Sequence, residues 1–344
     1  MIRFNNDYNR TAHPHVLEVL QEASSQSYSG YGTDEWCARA EACIRTLTGQ
    51  PEAAVWFFPG ATQANFVVCA AALSPVESVI CAETGHIQCH EAASVEHIGH
   101  KILALPERDG KISAAQIQEC AVAYYEGGEP EYWTAPRLVY LSFPTETGTL
   151  YSLAELREIH AVCRKYGMYL FVDGARLGYG LGAAENDVTA EALAALADVF
   201  YFGGTKCGAM FGEAVVITAE ALKPRFKAYM KQNGAVLAKG WLLGAQFCAL
   251  LEDGLYFRIT AEADRQAMRI KQAFRARGIP LHGSSPTNQQ FVCLTDDQAA
   301  RLGANFTFED SGRTPDGLQI ARFCTSWATT QAEADALITE IGKI

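Results

Sequence analysis

Two short segments in the middle third of the chain carry the residue types needed for covalent amine chemistry. Tyr169-Leu170-Phe171-Val172-Asp173-Gly174-Ala175-Arg176 reads as a buried strand ending in an acid. Val199-Phe200-Tyr201-Phe202-Gly203-Gly204-Thr205-Lys206 reads as a second strand running into a lysine. An aspartate at the carboxyl end of a parallel strand can keep a pyridine nitrogen protonated, and a lysine from a nearby strand end can form a Schiff base with an aldehyde. Pyridoxal 5'-phosphate is the group such a pair would take. The glycines before Lys206 let the backbone come close to a ligand, and a closed pocket disfavours the charged ammonium. Taken alone, each residue has a plainer reading: Lys206 as a solvated strand-end lysine, Asp173 as the ion-pair partner of Arg176.

Three further positions fall at strand ends or helix starts. Gly60-Ala61-Thr62-Gln63-Ala64-Asn65 lies between an apolar strand and a helix, where free backbone N–H groups and the Thr62 hydroxyl form a phosphate cup. His86 follows the apolar run Ser78-Val79-Ile80-Cys81 and is placed to stack on a flat ring and bond a substrate hydroxyl. Arg322, in Ile320-Ala321-Arg322-Phe323-Cys324, suits a carboxylate from the protein or from an amino-acid substrate. His86 and His90 are also spaced i, i+4, with Glu91, His97 and His100 nearby. Without an H-E-x-x-H order, the metal reading is the weaker one.

The elements that must position these residues alternate. Short apolar runs (Ala54–Phe58, Leu138–Leu141, Tyr169–Val172, Val199–Phe202, Ala214–Ile217) are interleaved with helical patterns at Thr62–Leu73 and Leu153–Tyr166, which predicts an α/β sheet covered by helices on both faces. Ligands of such sheets bind at the carboxyl ends of the strands. After Leu222 the pattern turns to helices at about 223–231, 237–251 and 261–277, then to strands at Phe291–Leu294 and Leu318–Phe323. We read an N-terminal segment (1–30) packing on a small domain or a partner subunit, a large cofactor-binding domain (31–245) and a small α+β C-terminal domain (246–344).

At 344 residues and 49% hydrophobic composition the chain can bury a large core, and its net charge of -11 argues against nucleic-acid and acidic-membrane surfaces. The eleven cysteines are scattered without a C-x-x-C pair, as expected of buried thiols in a reducing compartment. No apolar leader opens the sequence, so we expect a cytoplasmic protein acting on a small molecule.

These segments together resemble the low-specificity L-threonine aldolases, in the β-eliminating-lyase group of fold-type-I pyridoxal-phosphate enzymes. The resemblance rests on Val172-Asp173-Gly174-Ala175-Arg176-Leu177, Thr205-Lys206, Gly60 to Asn65, Tyr31-Gly32-Thr33-Asp34 and Arg322-Phe323-Cys324-Thr325-Ser326-Trp327. It implies an aspartate-aminotransferase-like fold, and retro-aldol cleavage of L-threonine or L-allo-threonine to glycine and an aldehyde. Lys206 would be the Schiff-base lysine, Asp173 the pyridine-nitrogen partner and His86 the stacking histidine. Gly60, Ala61 and Thr62 would hold the phosphate, Thr205 and Arg176 would also contact the cofactor, Lys239 would reach a neighbour's phosphate, and Arg176, Arg322, Asn6 and Tyr31 would face the substrate. A homodimer or homotetramer with shared sites follows. The chain departs from the family where Asn6-Asp7 replaces a serine-aspartate step and where Pro144-Thr145-Glu146-Thr147 replaces a His-Asn step. A β-eliminating lyase or aminotransferase on the same cofactor is the alternative.

Overall fold

The computed structural model describes the whole chain, Met1 to Ile344. Its centre is a seven-stranded sheet built from β1 (Ala54–Phe58), β2 (Glu77–Ala82), β3 (Lys101–Leu105), β4 (Ala135–Ser142), β5 (Tyr169–Asp173), β6 (Val199–Gly203) and β7 (Glu213–Ile217). The strand order is β1-β7-β6-β5-β4-β2-β3. Only β7 runs against the rest, antiparallel to both β1 and β6. Alternate residues of each strand go to opposite faces: Leu170 and Val172 join one core with Phe200 and Phe202, while Phe171 joins the other with Val199 and Tyr201. Burial on both faces explains the near-continuous apolar runs in the sequence.

Helix boundaries follow local chemistry. The helix Leu153–Tyr166 starts at a capping box in which Ser152 and Glu155 satisfy each other's backbone N–H, and stops at left-handed Gly167. The expected helix at 237–251 begins only at Trp241, after a turn through Lys239 and Gly240.

A three-stranded antiparallel sheet, ordered β9-β10-β8 from β8 (Gln289–Leu294), β9 (Glu309–Arg313) and β10 (Gln319–Cys324), forms the smaller body. The N-terminal Ile2–Arg3 pairs with Phe306–Thr307, and Phe4 enters the smaller core with Ile270, Phe274 and Val292. The expected boundary at 245/246 falls inside the helix Trp241–Leu251. That helix is apolar all round, and its residues Phe247 to Leu251 belong to the large core. The two cores instead part company along the long helix Leu255–Ala276: Tyr256 and Ala263 pack in the large core, Ile270 and Phe274 in the small one.

Candidate active site

The strand ends β5 and β6 come together because two glycines permit it. A Cβ on Gly174 would lie 1.7 Å from the Tyr201 carbonyl oxygen, and one on Gly203 would lie 2.4 Å from that of Ala175. Gly203 N–H donates to Gly174 O at 2.9 Å across the gap. This seam sets Asp173 and Lys206 beside one cleft, lined also by Ala61, His86, Ser142, Glu146 and Arg176.

Asp173 is buried at the floor. Its Oδ2 accepts from the Tyr140 hydroxyl at 2.5 Å and from Asn65 Nδ2 at 3.0 Å, and its Oδ1 accepts from Ala175 N–H at 2.9 Å. Burial alone would raise its pKa, but nearby His86 and these donors together hold it below the ordinary carboxylate value. It is therefore an anion at neutral pH. Lys206 is pushed the other way. Burial lowers its pKa, helped by the Arg176 charge and opposed by Asp7, Asp173 and Glu213, and its amine forms no ion pair.

His86 starts a four-residue helical turn directly after β2. Its Nδ1 donates to Glu91 Oε1 at 2.7 Å, and Glu91 also receives Asn65 Nδ2 at 2.7 Å. Asn65 thus bridges the carboxylate behind His86 to the carboxylate at the floor. The helix Ala61–Ala72 begins without a side-chain cap, after Gly60 in extended conformation, so its first N–H groups remain available to an anion. Thr62 at this turn is exposed.

Other expected residues lie elsewhere or are already engaged. Arg176 lines the cleft, yet its Nε and Nη2 fork onto buried Asp7 at 2.7 and 3.1 Å, leaving only Nη1 unbonded. Asn6 is turned to its own segment, where its Oδ1 accepts Tyr8 N–H at 3.1 Å. The Thr205 hydroxyl, expected on the cofactor, donates to Glu213 Oε1 at 2.8 Å and accepts Gly212 N–H at 3.0 Å. Arg322 is outside the cleft lining and pairs with Glu309 and with Asn5 O. Tyr31 and Lys239 are exposed and sit together, joined by Tyr31 N–H to Ala238 O at 3.2 Å, on a surface separate from the cleft of their own chain.

Sequence reading missed Asn65 as a bridge, Glu91 as the partner of His86 and Glu213 altogether, and it met Glu146 and Asp7 only in the steps where the chain departs from the family, without giving them a role. A signal existed for two of them: Asn65 sits inside the apolar stretch Ala64 to Ala72, and Glu213 opens the apolar strand β7. A polar residue so placed must have a partner.

A family model described as "Beta-eliminating lyase" matches residues 14–297. A low-specificity L-threonine aldolase of Pseudomonas sp. (strain NCIMB 10558) is 30% identical over 341 residues, covering 96% of this chain and 94% of the relative. The solved structure of a Leishmania major threonine aldolase is 40% identical with a TM-score of 0.97, covering 100% of this chain and 99% of that one. Aspartate aminotransferase from Thermus thermophilus, at 16% identity and TM-score 0.70 over 100% of this chain and 91% of that one, shares the fold. The chain is therefore a lyase of the beta-eliminating lyase family, in its low-specificity L-threonine aldolase group, built on the fold-type-I architecture.

Proposed function

We propose that the protein is a pyridoxal-phosphate-dependent aldolase that cleaves L-threonine, L-allo-threonine and related β-hydroxy-α-amino acids to glycine and an aldehyde. The observation that carries this reading is the unpaired Lys206 amine sharing one cleft with ionised Asp173 and with His86.

The residues fit the cofactor. A buried, ionised carboxylate suits a protonated ring nitrogen, the uncapped start of the helix Ala61–Ala72 suits a phosphate, and Lys206 is the amine that would anchor the aldehyde carbon. When bound, the cofactor supplies an electron sink for the pair left on Cα as the Cα–Cβ bond breaks. Asp173 sustains that sink by keeping its charge. Arg322, once released from Glu309, would join the Nη1 edge of Arg176 on the substrate carboxylate and so fix which bond stands ready to break. His86 has Nδ1 committed to Glu91, which leaves Nε2 to take the β-hydroxyl proton, directly or through a water. The O–H pair becomes the aldehyde carbonyl, and a proton delivered to Cα completes glycine.

The exposed pair Tyr31 and Lys239 supports a homodimer or homotetramer in which they reach a neighbour's cleft. Eleven free thiols support a reducing, cytoplasmic setting. Incubating the cofactor-loaded protein with L-threonine and with L-allo-threonine tests the reaction: acetaldehyde and glycine should form in equal amounts. A keto acid formed instead, with no acetaldehyde, would overturn the aldolase reading in favour of transamination or elimination.

A further inference from the structure

We propose that Glu146 is a second proton-transfer residue for this reaction, its Oε2 receiving the proton of the substrate's β-hydroxyl directly or by way of His86 Nε2. The proposal rests on the aldolase reading and assigns a part of its chemistry to a residue outside that assignment.

Glu146 lines the cleft with His86, Asp173 and Lys206. Its two oxygens have different surroundings. Oε1 is fixed by two donors, His86 N–H at 2.9 Å and Ser142 Oγ at 2.6 Å. Oε2 receives no hydrogen bond from any other residue and is not among the sealed, unsatisfied atoms of the interior, which in a residue lining the cleft makes it the oxygen left for a ligand. One oxygen is anchored and the other is offered to a ligand. The anchoring donor is the backbone of His86 itself, so Glu146 and the imidazole are positioned by one turn and address the same space.

The loop carrying Glu146 is held unusually firmly for a connection. Thr145 Oγ1 and Thr149 Oγ1 are 2.6 Å apart, and the Thr149 hydroxyl donates to Asp109 O at 2.6 Å. Gly148 O accepts from Ser285 Oγ at 3.1 Å and from Thr287 Oγ1 at 2.9 Å, both from the segment leading into β8. This ladder ties the loop to both bodies and fixes the carboxyl's aim, as a proton-transfer group requires. Burial, reinforced by the Asp173 charge, raises the carboxyl's pKa against hydrogen bonds from Ser142, from its own backbone N–H and from His86 N–H, and so makes it a better proton acceptor than a solvated carboxylate.

The step balances. The β-hydroxyl O–H bond breaks and its proton bonds to Oε2, directly or after passing through His86 Nε2, while the O–H electrons form the aldehyde π bond. The Cα–Cβ pair remains at Cα until a proton joins it, and Glu146 returns its own proton to solvent as the aldehyde leaves.

The test compares two reactions of the cofactor-loaded enzyme, because exchange of the α-proton of glycine with deuterated solvent involves no β-hydroxyl. Glu146→Gln should keep the cofactor chromophore and keep glycine exchange, followed by NMR, within about twofold of wild type. It should lower kcat for L-threonine cleavage by ~10²-fold or more with little change in KM. Ser142→Ala, which frees the anchored oxygen, should lower cleavage less and again spare exchange. Equal losses of exchange and cleavage in Glu146→Gln would show a merely structural role, and unchanged cleavage would show no role; either overturns the proposal. A wild-type protein that exchanges glycine but releases no aldehyde would defeat the aldolase reading itself, and this proposal with it.

Discussion

Arg176 forks onto Asp7 across 169 positions of sequence, Nε to Oδ2 at 2.7 Å and Nη2 to Oδ1 at 3.1 Å, with Asn288 Nδ2 completing the acid's shell at 2.9 Å. The pair fastens the N-terminal segment and the entry to β8 onto the loop that follows Asp173. Burial opposes ionisation of Asp7 most strongly, but the charges of Arg176 and Lys206 and the hydrogen bonds from Arg176 and Asn288 together outweigh it, and its pKa lies below 3.8. Stability from this depressed carboxylate is present above the unfolded value and is lost as pH falls through the folded one. Asp7→Ala strands a buried guanidinium and should cost about 3–5 kcal/mol. Urea denaturation at pH 7 and pH 3 checks both statements: the gap between wild type and variant should shrink at pH 3, and a pH-independent gap would contradict the ion-pair account.

His86 owes its tautomer to Glu91. Glu91→Gln leaves the shape intact but can present an amide N–H to Nδ1, turning the ring or its proton the wrong way. We expect retained cofactor binding and a fall of ~10²-fold in kcat for threonine cleavage. Chromophore titration alongside steady-state kinetics tests this; loss of the chromophore with the activity would make Glu91 a folding residue only.

Glu213 has its carboxyl pushed up from 4.5 to about 8 by burial, against hydrogen bonds from Thr205 and Gly204 and the charge of Lys206. The folded state therefore keeps a proton that the unfolded chain releases near 4.5. The associated stability is complete below that pH and is lost as pH rises through about 8. In cofactor-free protein, the Tm of wild type should fall more steeply between pH 5 and 8.5 than that of Glu213→Gln. Parallel Tm curves would refute the assignment.

Glu309 lies on β9, whose residues are all exposed, and occupies the guanidinium that we assign to the substrate carboxylate. A partly exposed ion pair contributes ~0–1 kcal/mol, so releasing it is worth up to about fivefold in affinity. Glu309→Gln should lower KM for L-threonine by up to that factor at constant kcat, while Arg322→Lys should raise it by more than about tenfold. A KM unchanged in both variants would remove Arg322 from the substrate site.

The strands and the Asp173–Lys206 pairing were legible in the sequence because a sheet buried on both faces writes itself as apolar runs, and residues at the ends of those runs share one edge. Partnerships formed by distant segments left no such trace. The side chains of Asn6 and Asp7 are adjacent in sequence, yet only the fold shows that Asp7, and not Asn6, faces Arg176. Thr205 read as a cofactor-binding residue, but β7 supplies Glu213 as the acceptor of its hydroxyl. The helix Trp241–Leu251 was misplaced at a domain boundary because length and periodicity do not reveal which of two cores receives an apolar helix.

Borohydride reduction of the yellow cofactor-loaded protein, followed by peptide mapping, tests the central claim most directly. The account predicts loss of the visible band with a stable pyridoxyl adduct on the peptide containing Lys206, and a Lys206→Ala protein that forms no adduct and no glycine from L-threonine at the normal rate. An adduct on another lysine, or undiminished glycine formation by Lys206→Ala, would contradict it.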